Sequence, residues 1–423
     1  MLARDPYEGL CRVQADSGNI AGFGWGPVRY ALMFGPEANA FLFANSGLFT
    51  VREAFDVLVP VNGETALIAS DGAAHKHRRR LVQPAFHRRR VDGYIARMAE
   101  NADALIDTWR PGETVDVYAV LREVTRRTTV QLLFGDRLAA DEDLLAGELQ
   151  TLLDGIDRPY SQLVALRSVP NPFWRKVLQA RTTVLDRLMR EIADRRMDPT
   201  PRHDVLGLLL DSRDEDGGGL TDVELQDQAI SLMAAGYETT SAALGWAVHL
   251  MLTTEGVWER ARAEVGDAPP TAESLPAFTY LGHVVDEVLR LRPPVVMSAR
   301  RVAEDFEFQR YRVPAGTMLL YSPYVTHRMP ELWPEPGEFR PDRWDPDSPL
   351  HRPATPATFL PFGGGQHRCI GSVLALTGIK VTLARLLART DLVHDGAPVT
   401  PRSITAMRPR EGVHVLVKEV RPA

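Results

Sequence analysis

The sequence is poor in cysteine and lacks a long apolar run, and both absences bound its class. Only Cys11 and Cys369 occur among 423 residues. A pair so far apart cannot form a disulfide framework, so we expect a protein of the reducing cytoplasm. About eighteen consecutive apolar residues, the length that suggests a membrane-spanning helix, occur nowhere. Residues 1–19 carry charges and have no continuous apolar stretch, so we expect neither a signal peptide nor a membrane anchor there.

An excess of positive charge is also missing. Lys and Arg number 49 against 55 Asp and Glu, which gives a formal net charge of -6 and no general attraction for nucleic acid. One run, residues 75–90, is nevertheless dense in Arg and His. It could contact nucleic acid, but in a net acidic chain a solvated basic face is the simpler interpretation. We therefore expect no nucleic-acid partner.

The length makes two domains the default expectation, although a large buried cofactor can supply core that one domain wraps. The chain has mainly helical patterns, with short β segments expected at residues 28–33 and 413–417. The clearest helix start is a capping-box pattern, Thr-Asp-Val-Glu at 221–224, which predicts a helix to about Leu252.

Two further helices are predicted on either side of a Pro-rich stretch. One spans residues 277–291 and must stop before two prolines. The other spans residues 372–388. Residues 313–361 between them have few periodic segments and predict a long coil, which is normally functional or disordered.

The most informative segment is 362–371, Phe-Gly-Gly-Gly-Gln-His-Arg-Cys-Ile-Gly. Its glycines allow tight turns and a close approach of the backbone to a flat ligand. Cys369 comes just before the last predicted helix, whose N-terminal dipole and free N–H groups favour an anion. Such a position favours the thiolate, the form of cysteine that binds metal. A buried structural cysteine is the alternative, but it leaves the spacing Phe-x-x-Gly-x-His-x-Cys-x-Gly unexplained.

This segment resembles the haem-binding loop of the cytochrome P-450 family of haem-thiolate monooxygenases, whose usual pattern is Phe-x-x-Gly-x-Arg-x-Cys-x-Gly. The resemblance implies that Cys369 ligates the haem iron. It also implies that the cofactor is bordered by Phe362, Gly365, His367 and Gly371. His367 stands where the family usually has Arg. A contact from His367 to a haem propionate should weaken as pH rises through the histidine's pKa, because the ring then loses its charge.

The predicted long helix is interrupted at 235–240 by Ala-Gly-Tyr-Glu-Thr-Thr. Gly and Thr lower helix propensity, so we expect a local bulge or kink, and a solvent-facing kink is the structural interpretation. The stretch is similar to the family's oxygen-binding motif, Ala/Gly-Gly-x-Asp/Glu-Thr-Thr/Ser. By that resemblance Ala235 would contact the haem and Thr239 would hydrogen-bond dioxygen. Glu238 would help to relay protons from solvent.

A carboxylate and two arginines resemble the family's scaffold signatures, Glu-x-x-Arg and Phe-x-Pro-x-Arg. Glu287 and Arg290 form the first, and Arg343 belongs to the second. The resemblance implies a buried ion cluster of these three residues that pins the coil beneath the haem. Its role would be structural, and loss of one partner would leave a buried charge uncompensated at about 3–5 kcal/mol.

Cations for the haem propionates are expected at three further positions. His75 and Arg79 lie four residues apart on a helix predicted to begin near Ala73, so they share one face. They match the family's His-x-x-x-Arg. Arg300 occupies the family's position after the Pro-Pro turn, with Arg301 as the alternative, and arginine suits bidentate pairing with a carboxylate.

The resemblance covers residues from about 23 to 417, with five motifs in the family's order. It implies a mainly α fold with small β-sheets, a single cytochrome P-450 domain over residues 1–423, and haem between the long central helix and the cysteine-loop helix. The expected cofactors are haem b (iron protoporphyrin IX) and O2, in a soluble monomer. Two cysteines cannot hold a four-cysteine cluster and no flavin motif occurs, so electrons from NAD(P)H should arrive through ferredoxin and ferredoxin reductase.

Substrate identity is weakly encoded. By family position the pocket would draw on residues 54–62, residues 156–172 and a set of single positions. That set is Met233, Tyr237, Val295, Val296, Met297, Ile404 and Thr405, the last two within a turn at 404–407. Because the set is largely apolar, we expect a hydrophobic small molecule, a terpenoid, polyketide or fatty acyl compound, to be hydroxylated or epoxidised. Ordinary core packing is the alternative at each position.

Three other functions remain as alternatives. A peroxygenase would use hydrogen peroxide, but would not need Glu238 and Thr239 for proton delivery. A haem-based sensor or carrier would bind substrate tightly and release no product. A zinc or nucleophilic site at Cys369 and His367 lacks further ligands or a partner base at suitable spacing.

Overall fold

The computed structural model describes residues 5–26, 28–158, 160–169, 171–198, 200, 202–403 and 406–423. Their helices are α1 (Pro6–Ser17), α2 (Gly35–Ala44), α3 (Val59–Asn62), α4 (Gly72–Val82), α5 (Arg88–Asp92), α6 (Ile95–Ile106), α7 (Val117–Phe134), α8 (Asp136–Ala139), α9 (Glu142–Ile156), α10 (Tyr160–Ser168), α11 (Pro172–Met197), α12 (Val205–Asp211), α13 (Asp222–Thr253), α14 (Val257–Val265), α15 (Thr279–Leu291), α16 (Pro323–Thr326) and α17 (Ser372–Arg389). Within these residues, no helix combines the length and the apolar character that crossing a bilayer requires.

Short strands form the minor part of the fold. They are β1 (Ile20–Trp25), β2 (Val28–Met33), β3 (Phe49–Thr50), β4 (Thr114–Asp116), β5 (Ser298–Val302), β6 (Phe306–Phe308), β7 (Tyr311–Val313), β8 (Met318–Tyr321), β9 (Thr390–His394), β10 (Pro401–Arg402), β11 (Arg408–Pro409) and β12 (His414–Val420). The largest sheet has the order β1-β2-β8-β5-β3, in which β2 and β8 are parallel and the other pairs antiparallel. A three-stranded sheet has the order β4-β12-β9. The predicted mainly α fold with small β-sheets is confirmed.

The chain divides into two compact units. The first comprises Met1–Thr50, Val91–Val124 and Thr239–Ala423, and the second Val51–Arg90 and Thr125–Glu238. One division falls directly after β3, and the other three fall within helices α5, α7 and α13. The single domain over residues 1–423 stays a prediction.

In the first unit, apolar residues from the largest sheet pack on α2. Met33, Leu319 and Tyr321 belong to this cluster together with Leu42 of α2. Helix α17 packs against α6, and this contact includes buried charge: Arg385, which is fully buried, donates to Asp103 at 2.7 Å. From Thr377 onward, the helix that follows the cysteine loop is therefore anchored by packing, and near its C-terminal end by ion pairing as well.

In the second unit, α11 packs against α9, and a buried ion network holds the end of α11. Arg195 donates to Glu191 at 2.8 Å and to Asp204 at 2.6 Å. Asp204 in turn caps α12 by accepting from the backbone N–H of Gly207. These contacts hold the end of α11 against the start of α12, the last helix before the longest one.

The longest helix begins as its capping box predicts. The Thr221 hydroxyl accepts from the Glu224 backbone N–H at 3.3 Å, and the Glu224 carboxylate accepts from the Thr221 backbone N–H at 3.0 Å. Helix α13 then continues unbroken to Thr253, so the bulge expected at residues 235–240 does not interrupt its α-helical backbone. Tertiary packing of the buried face, which includes Tyr237 and Glu238, outweighs the low propensity of Gly and Thr there.

Most other predicted elements lie close to their expected positions. Helix α15 begins at Thr279 after a short 3-10 turn, and α17 ends at Arg389. The prediction of coil over residues 313–361 was wrong in part, because it contains β8 and α16. The partner of β8 in the parallel pair is β2, almost 300 residues earlier, and a local pattern cannot show such a pairing.

Candidate functional site

The cysteine segment folds into a closed loop at the start of α17. The Cys369 backbone N–H donates to the Phe362 carbonyl at 2.9 Å, and that of Arg368 donates to Gly365 at 3.2 Å. Gly363 and Gly365 both have φ of 65°, a conformation that side-chain-bearing residues rarely adopt. The loop presents Cys369 as an exposed residue at its end.

Phe43 of α2 packs against this loop. A Cβ atom on Gly364 would lie 2.4 Å from the Phe43 ring, and one on Gly365 would lie 3.2 Å from the Phe43 carbonyl oxygen. The loop can therefore reach its position only with glycine at 364. Phe43 and Gly364 are far apart in sequence, and no pattern in the sequence links them.

The other side of the loop is left uncovered by protein. No atom lies within 4 Å of the point where Gly371 would carry a Cβ. Three apolar residues next to it, Ile370, Val373 and Leu374, are only half-buried. Phe362 and His367 are half-buried as well. A flat apolar ligand would bury this surface.

Arg300 of β5 is a buried cation close to the loop. It is 8% exposed, and within the described part of the chain its guanidinium is paired with no carboxylate; Nη1 donates to the Ala299 carbonyl at 2.7 Å. The guanidinium lies 5.4 Å from the centre of the Tyr321 ring. The Tyr321 hydroxyl lies 3.5 Å from the position of a Cβ on Gly363, so Tyr321 contacts both features. Arg301, the alternative, is half-exposed, and as the next residue along the strand it lies on the opposite face of the sheet from Arg300.

A buried cation without an anion is costly, so this arrangement favours a ligand with an acidic group near Arg300. The thiol at a helix start, the uncovered apolar surface and the buried guanidinium are together the features that a haem with its propionates requires. The residues of the first unit therefore fit the cofactor that the resemblance implies.

One face of α13 is also left uncovered. Ala235 is exposed and Gly236 and Thr239 are half-buried, whereas Tyr237 and Glu238 are buried at 1% and 4% exposure. Ala235 and Thr239 are four residues apart and share a face. On the packed side, a Cβ on Gly236 would lie 2.8 Å from Thr129, so glycine lets α7 approach closely.

The remaining predicted cofactor contacts lie on α4. His75 is buried, with 1% exposure, and Arg79 is half-buried one turn later. Both are in the second unit. The structure thus places the two side chains on one helical face, as their spacing predicts.

The predicted ion partners do meet, around Glu287 of α15. This carboxylate is fully buried and accepts from Arg290 through both Nε and Nη2 at 2.8 Å. It also accepts from Arg343 Nε at 3.1 Å, from Trp344 Nε1 at 3.0 Å and from the Arg340 backbone N–H at 2.9 Å. Three of these five hydrogen bonds, those from Arg340, Arg343 and Trp344, hold residues 340–344 of the long coil against α15.

His327 extends this cluster to the cysteine loop, and the sequence carried no signal for it. Its carbonyl accepts from Arg290 Nη1 at 2.8 Å, and its ring Nε2 accepts from the Leu360 backbone N–H at 3.0 Å. Burial lowers the pKa of His327 well below its usual range, and Arg290 and Arg328 act in the same direction. The ring is therefore neutral, and its Nε2 accepts the hydrogen bond from Leu360, which lies two residues before Phe362.

The predicted substrate positions have different surroundings. Met233 and Tyr237 are buried, at 0% and 1% exposure, and Val295 and Met297 are half-buried. Val296 is fully buried in an apolar cluster with Phe34 and Val325, which agrees with ordinary core packing. Ile404 and Thr405 lie outside the described residues.

Comparison with known proteins supplies a family. The family model "Cytochrome P450" matches residues 2–416. A relative named "Putative cytochrome P450 139" from Mycobacterium tuberculosis is 44% identical over 98% of this chain and 98% of its own length. From Streptomyces melanosporofaciens, "Cyclooctat-9-en-7-ol 5-monooxygenase" is 34% identical over 92% of this chain and 85% of its own length. "Cyclooctatin synthase" from the same organism is 32% identical over 92% of this chain and 86% of its own length.

A solved structure is similar along nearly the whole chain. It is described as "Retinoic acid bound cyanobacterial CYP120A1", with a TM-score of 0.89 and 29% sequence identity. The match covers 99% of this chain and 95% of that one.

Proposed function

The chain belongs to the cytochrome P450 family, whose members are monooxygenases, and from this premise we propose that it inserts one oxygen atom of O2 into a hydrophobic terpenoid. The reaction would be a hydroxylation or an epoxidation. The observation that carries the proposal is the closed loop that presents Cys369 at the start of α17. Close to this loop lies Arg300, a buried cation that pairs with no carboxylate among the described residues.

The family implies haem and O2, and this chain has residues suited to hold the haem. When bound, haem supplies the iron centre at which dioxygen is activated. Cys369 would donate its thiolate, which the N-terminus of α17 stabilises. The propionates would pair with Arg300, His75, Arg79 and His367. Phe362, Gly365, Gly371 and Ala235 would contact the ring.

Two side chains of α13 would manage protons. The Thr239 hydroxyl, on the uncovered face, would donate a hydrogen bond to dioxygen. Glu238 is buried at 4% exposure and would help deliver protons towards that hydroxyl. Positioned proton donors and acceptors of this kind typically raise a reaction rate by about 10²–10⁴-fold.

The proposed substrate class rests on pocket chemistry and on relatives. Val295 and Met297 offer half-buried apolar surface in the first unit. Two relatives are named cyclooctat-9-en-7-ol 5-monooxygenase and cyclooctatin synthase, and the structural neighbour is described with bound retinoic acid, an isoprenoid. These three proteins favour a terpenoid over a polyketide or a fatty acyl compound. Val295 and Met297 would be the single residues that contact it first, whereas Met233 and Tyr237 are as buried as Val296 and could contact it only after side-chain movement.

Electrons would come from NAD(P)H through ferredoxin reductase and ferredoxin. The basic run at residues 75–90, which would dock the acidic ferredoxin, has five exposed Lys and Arg residues: Lys76, Arg80, Arg88, Arg89 and Arg90. Arg78 does not belong to this face: it is half-buried and pairs with Glu224 at 2.7 Å. A docking test should therefore avoid Arg78, since its substitution would break an internal ion pair.

The absorption spectrum of the reduced protein with carbon monoxide tests the haem-thiolate proposal. Thiolate ligation shifts the main band strongly to the red compared with histidine ligation, and Cys369→Ser should abolish the shift. A colourless protein from haem-replete cells, or an unchanged spectrum in Cys369→Ser, would overturn the proposal. A screen of terpenoids that monitors the ferric spin state then identifies a substrate.

With such a substrate, Thr239→Ala should lower the fraction of NAD(P)H consumption that yields product by about tenfold or more, because proton delivery loses its donor. NAD(P)H consumption itself should continue. Thr240→Ala is the matched control, with the same chemical change one residue along the helix, and should change this fraction less than about twofold. Equal coupling in wild type and Thr239→Ala would contradict the assigned role.

A further inference from the structure

Two polar residues near the start of α13 are buried although the family's motifs do not involve them. Asp227 is 4% exposed and Gln228 is 1% exposed. Helix interiors seldom bury a carboxylate and an amide together without strong hydrogen bonding. Apart from Arg181, their partners are Thr65 and Leu67, in the short segment that follows α3.

Asp227 binds this segment through its carboxylate. Oδ2 accepts from the Thr65 backbone N–H at 3.0 Å and from the Thr65 hydroxyl at 2.9 Å. Oδ1 accepts from Arg181 Nη2 at 3.4 Å. The carboxylate is therefore shared between the segment and α11.

Gln228 and Arg181 complete the attachment. Gln228 Oε1 accepts from the Leu67 backbone N–H at 3.1 Å, and its Nε2 donates to the Thr65 carbonyl at 2.6 Å. Arg181 Nε donates to the Val61 carbonyl at 2.9 Å. Three side chains thus satisfy backbone groups of a segment that has no strand or long helix of its own between Asn62 and Leu67.

Gly63 lets the segment come this close. Its φ is 89°, and a Cβ there would lie 1.8 Å from Asp227 Oδ1. The positive φ and the close approach both require glycine. Gly63 and Asp227 are therefore a matched pair, although 164 positions separate them in the sequence numbering.

We infer that Asp227, Gln228 and Arg181 form a latch that positions residues 59–67 against α13. They act as positioning residues, since they touch backbone rather than substrate. The stretch 54–62 was expected to line the pocket, and α13 carries Met233, Tyr237 and Thr239. If that proposed function holds, the latch sets the distance between the pocket's loop and the helix that carries the proton-handling pair. Through that distance it controls the size of molecule that can enter.

Hydrogen–deuterium exchange of the haem-loaded protein tests the latch without reference to activity. Gln228→Met keeps the side-chain volume and removes both hydrogen bonds, and Asp227→Asn removes the charge. Each should speed exchange in peptides covering residues 59–69 by about tenfold or more. The Leu67 amide loses its acceptor in Gln228→Met, and the Thr65 amide is left with a weaker, uncharged acceptor in Asp227→Asn. Gln226→Met is the matched control, on the same helix and half-buried, and should leave these peptides unchanged.

Thr65→Val approaches the latch from the loop side, in case the helix variants fold poorly. It removes only the hydroxyl contact to Asp227 and should give a smaller increase in exchange over the same peptides. Unchanged exchange over residues 59–69 in all three latch variants would overturn the inference. So would an equal increase in every peptide, since this would show general loosening rather than a local latch.

Binding rates of two azoles supply a readout that a purely structural role would not move. Stopped-flow absorbance of the haem band would follow imidazole, which is small, and clotrimazole, which is bulky. The latch variants should raise the association rate constant for clotrimazole by about fivefold or more and leave that for imidazole within about twofold. Equal changes for both azoles would contradict size control. A protein that binds no azole and shows no red-shifted carbon monoxide band would instead refute the proposed function, and the exchange result would still stand.

Discussion

Glu287 shows at the scale of one residue how a buried charge can organise a segment that has little regular structure. Its two oxygens accept five hydrogen bonds, three from arginine side chains and two from Trp344 and the Arg340 backbone. Arg290 and Arg343 are nearly fully buried, at 0% and 2% exposure. Each needs this carboxylate, because neither can lose its proton at ordinary pH.

Glu287→Gln should therefore destabilise the protein by about 3–5 kcal/mol, since two buried guanidinium groups lose their counter-charge. The free energy of unfolding from urea titration measures this, and the haem content per protein should fall as well. Glu259→Gln makes the same change at an exposed position of α14 and should cost no more than about 0.5 kcal/mol. Similar unfolding free energies for the two variants would show that the cluster contributes little.

A second residue-scale feature is a pair of histidines between α13 and β9. Gly396 donates its backbone N–H to His394 Nδ1 at 3.0 Å, so His394 carries its proton on Nε2. That nitrogen lies 3.1 Å from His249 Nδ1 and donates to it. Burial, together with the charges of the neighbouring His394 and Arg292, lowers the pKa of His249 to about 4.

This depressed pKa makes stability depend on pH. Between about pH 6.5 and about pH 4 the unfolded chain binds a proton at His249 that the folded chain does not, so stability falls as pH falls through this range. His249→Phe keeps a ring against Trp246 and should remove this component, no more than about 2 kcal/mol after allowance for partial exposure. Urea titrations at pH 7 and pH 5 measure it, with exposed His87→Phe as the control. The hypothesis fails if wild type and His249→Phe lose equal stability on acidification.

At the scale of elements, the position of the cysteine loop depends on its close packing against α2. Gly364→Ala would place a methyl group 2.4 Å from the Phe43 ring in the present geometry. Either the loop or the phenyl ring must shift. We expect a loss of about 1–3 kcal/mol in unfolding free energy together with a lower haem content.

Gly147→Ala provides a control with the opposite sign. Gly147 lies exposed within α9, and no atom lies within 4 Å of its would-be Cβ. Alanine should stabilise the helix there by about 0.5–1 kcal/mol. Thermal and urea unfolding of the two variants should therefore move in opposite directions, and a shift of both in the same direction would contradict the packing argument.

Helix α13 joins several roles along one element. Its first turns carry the capping box and the latch, and its middle carries the uncovered face with Thr239. Near its C-terminal end Trp246 donates to the Met407 carbonyl at 3.0 Å. A helix of 32 residues can hold these groups in fixed register because each successive residue advances by a constant rise and angle.

At the scale of the whole molecule, charge is distributed unevenly. The chain is net acidic, yet Lys76, Arg80, Arg89 and Arg90 are all exposed within fifteen residues of one another. Such a local positive field steers an acidic partner and is screened by salt. This is the basis for the proposed ferredoxin contact.

Arg89→Glu should slow reduction by ferredoxin about tenfold at low ionic strength and flatten the salt dependence of the rate. Stopped-flow reduction at several salt concentrations measures both quantities. Arg410→Glu, a charge reversal at an exposed arginine in the other unit, is the control and should change the rate less than twofold, about what a remote surface charge contributes. Rates and salt slopes equal to wild type in Arg89→Glu would remove the docking hypothesis.

Residue patterns alone were enough to assign the family and the main helices and to propose the residues that would carry the chemistry. Spacing was sufficient for the capping box at Thr221 and for the cysteine motif ending at Gly371, because both depend on contacts between residues near in sequence. Glu287 and Arg290 are one helical turn apart and were found in the same way. The resemblance to the family supplied the roles that spacing alone could not.

The folded structure alone showed which groups far apart in the sequence meet. Phe43 beneath Gly364, His327 beside Leu360 and Asp227 against Gly63 each join segments that no local pattern connects. The same holds for Arg78, which the basic run placed on an open face and which Glu224 holds in an ion pair. Helix propensity and motif spacing act over a few residues, whereas close packing and the pairing of buried polar groups depend on the complete fold.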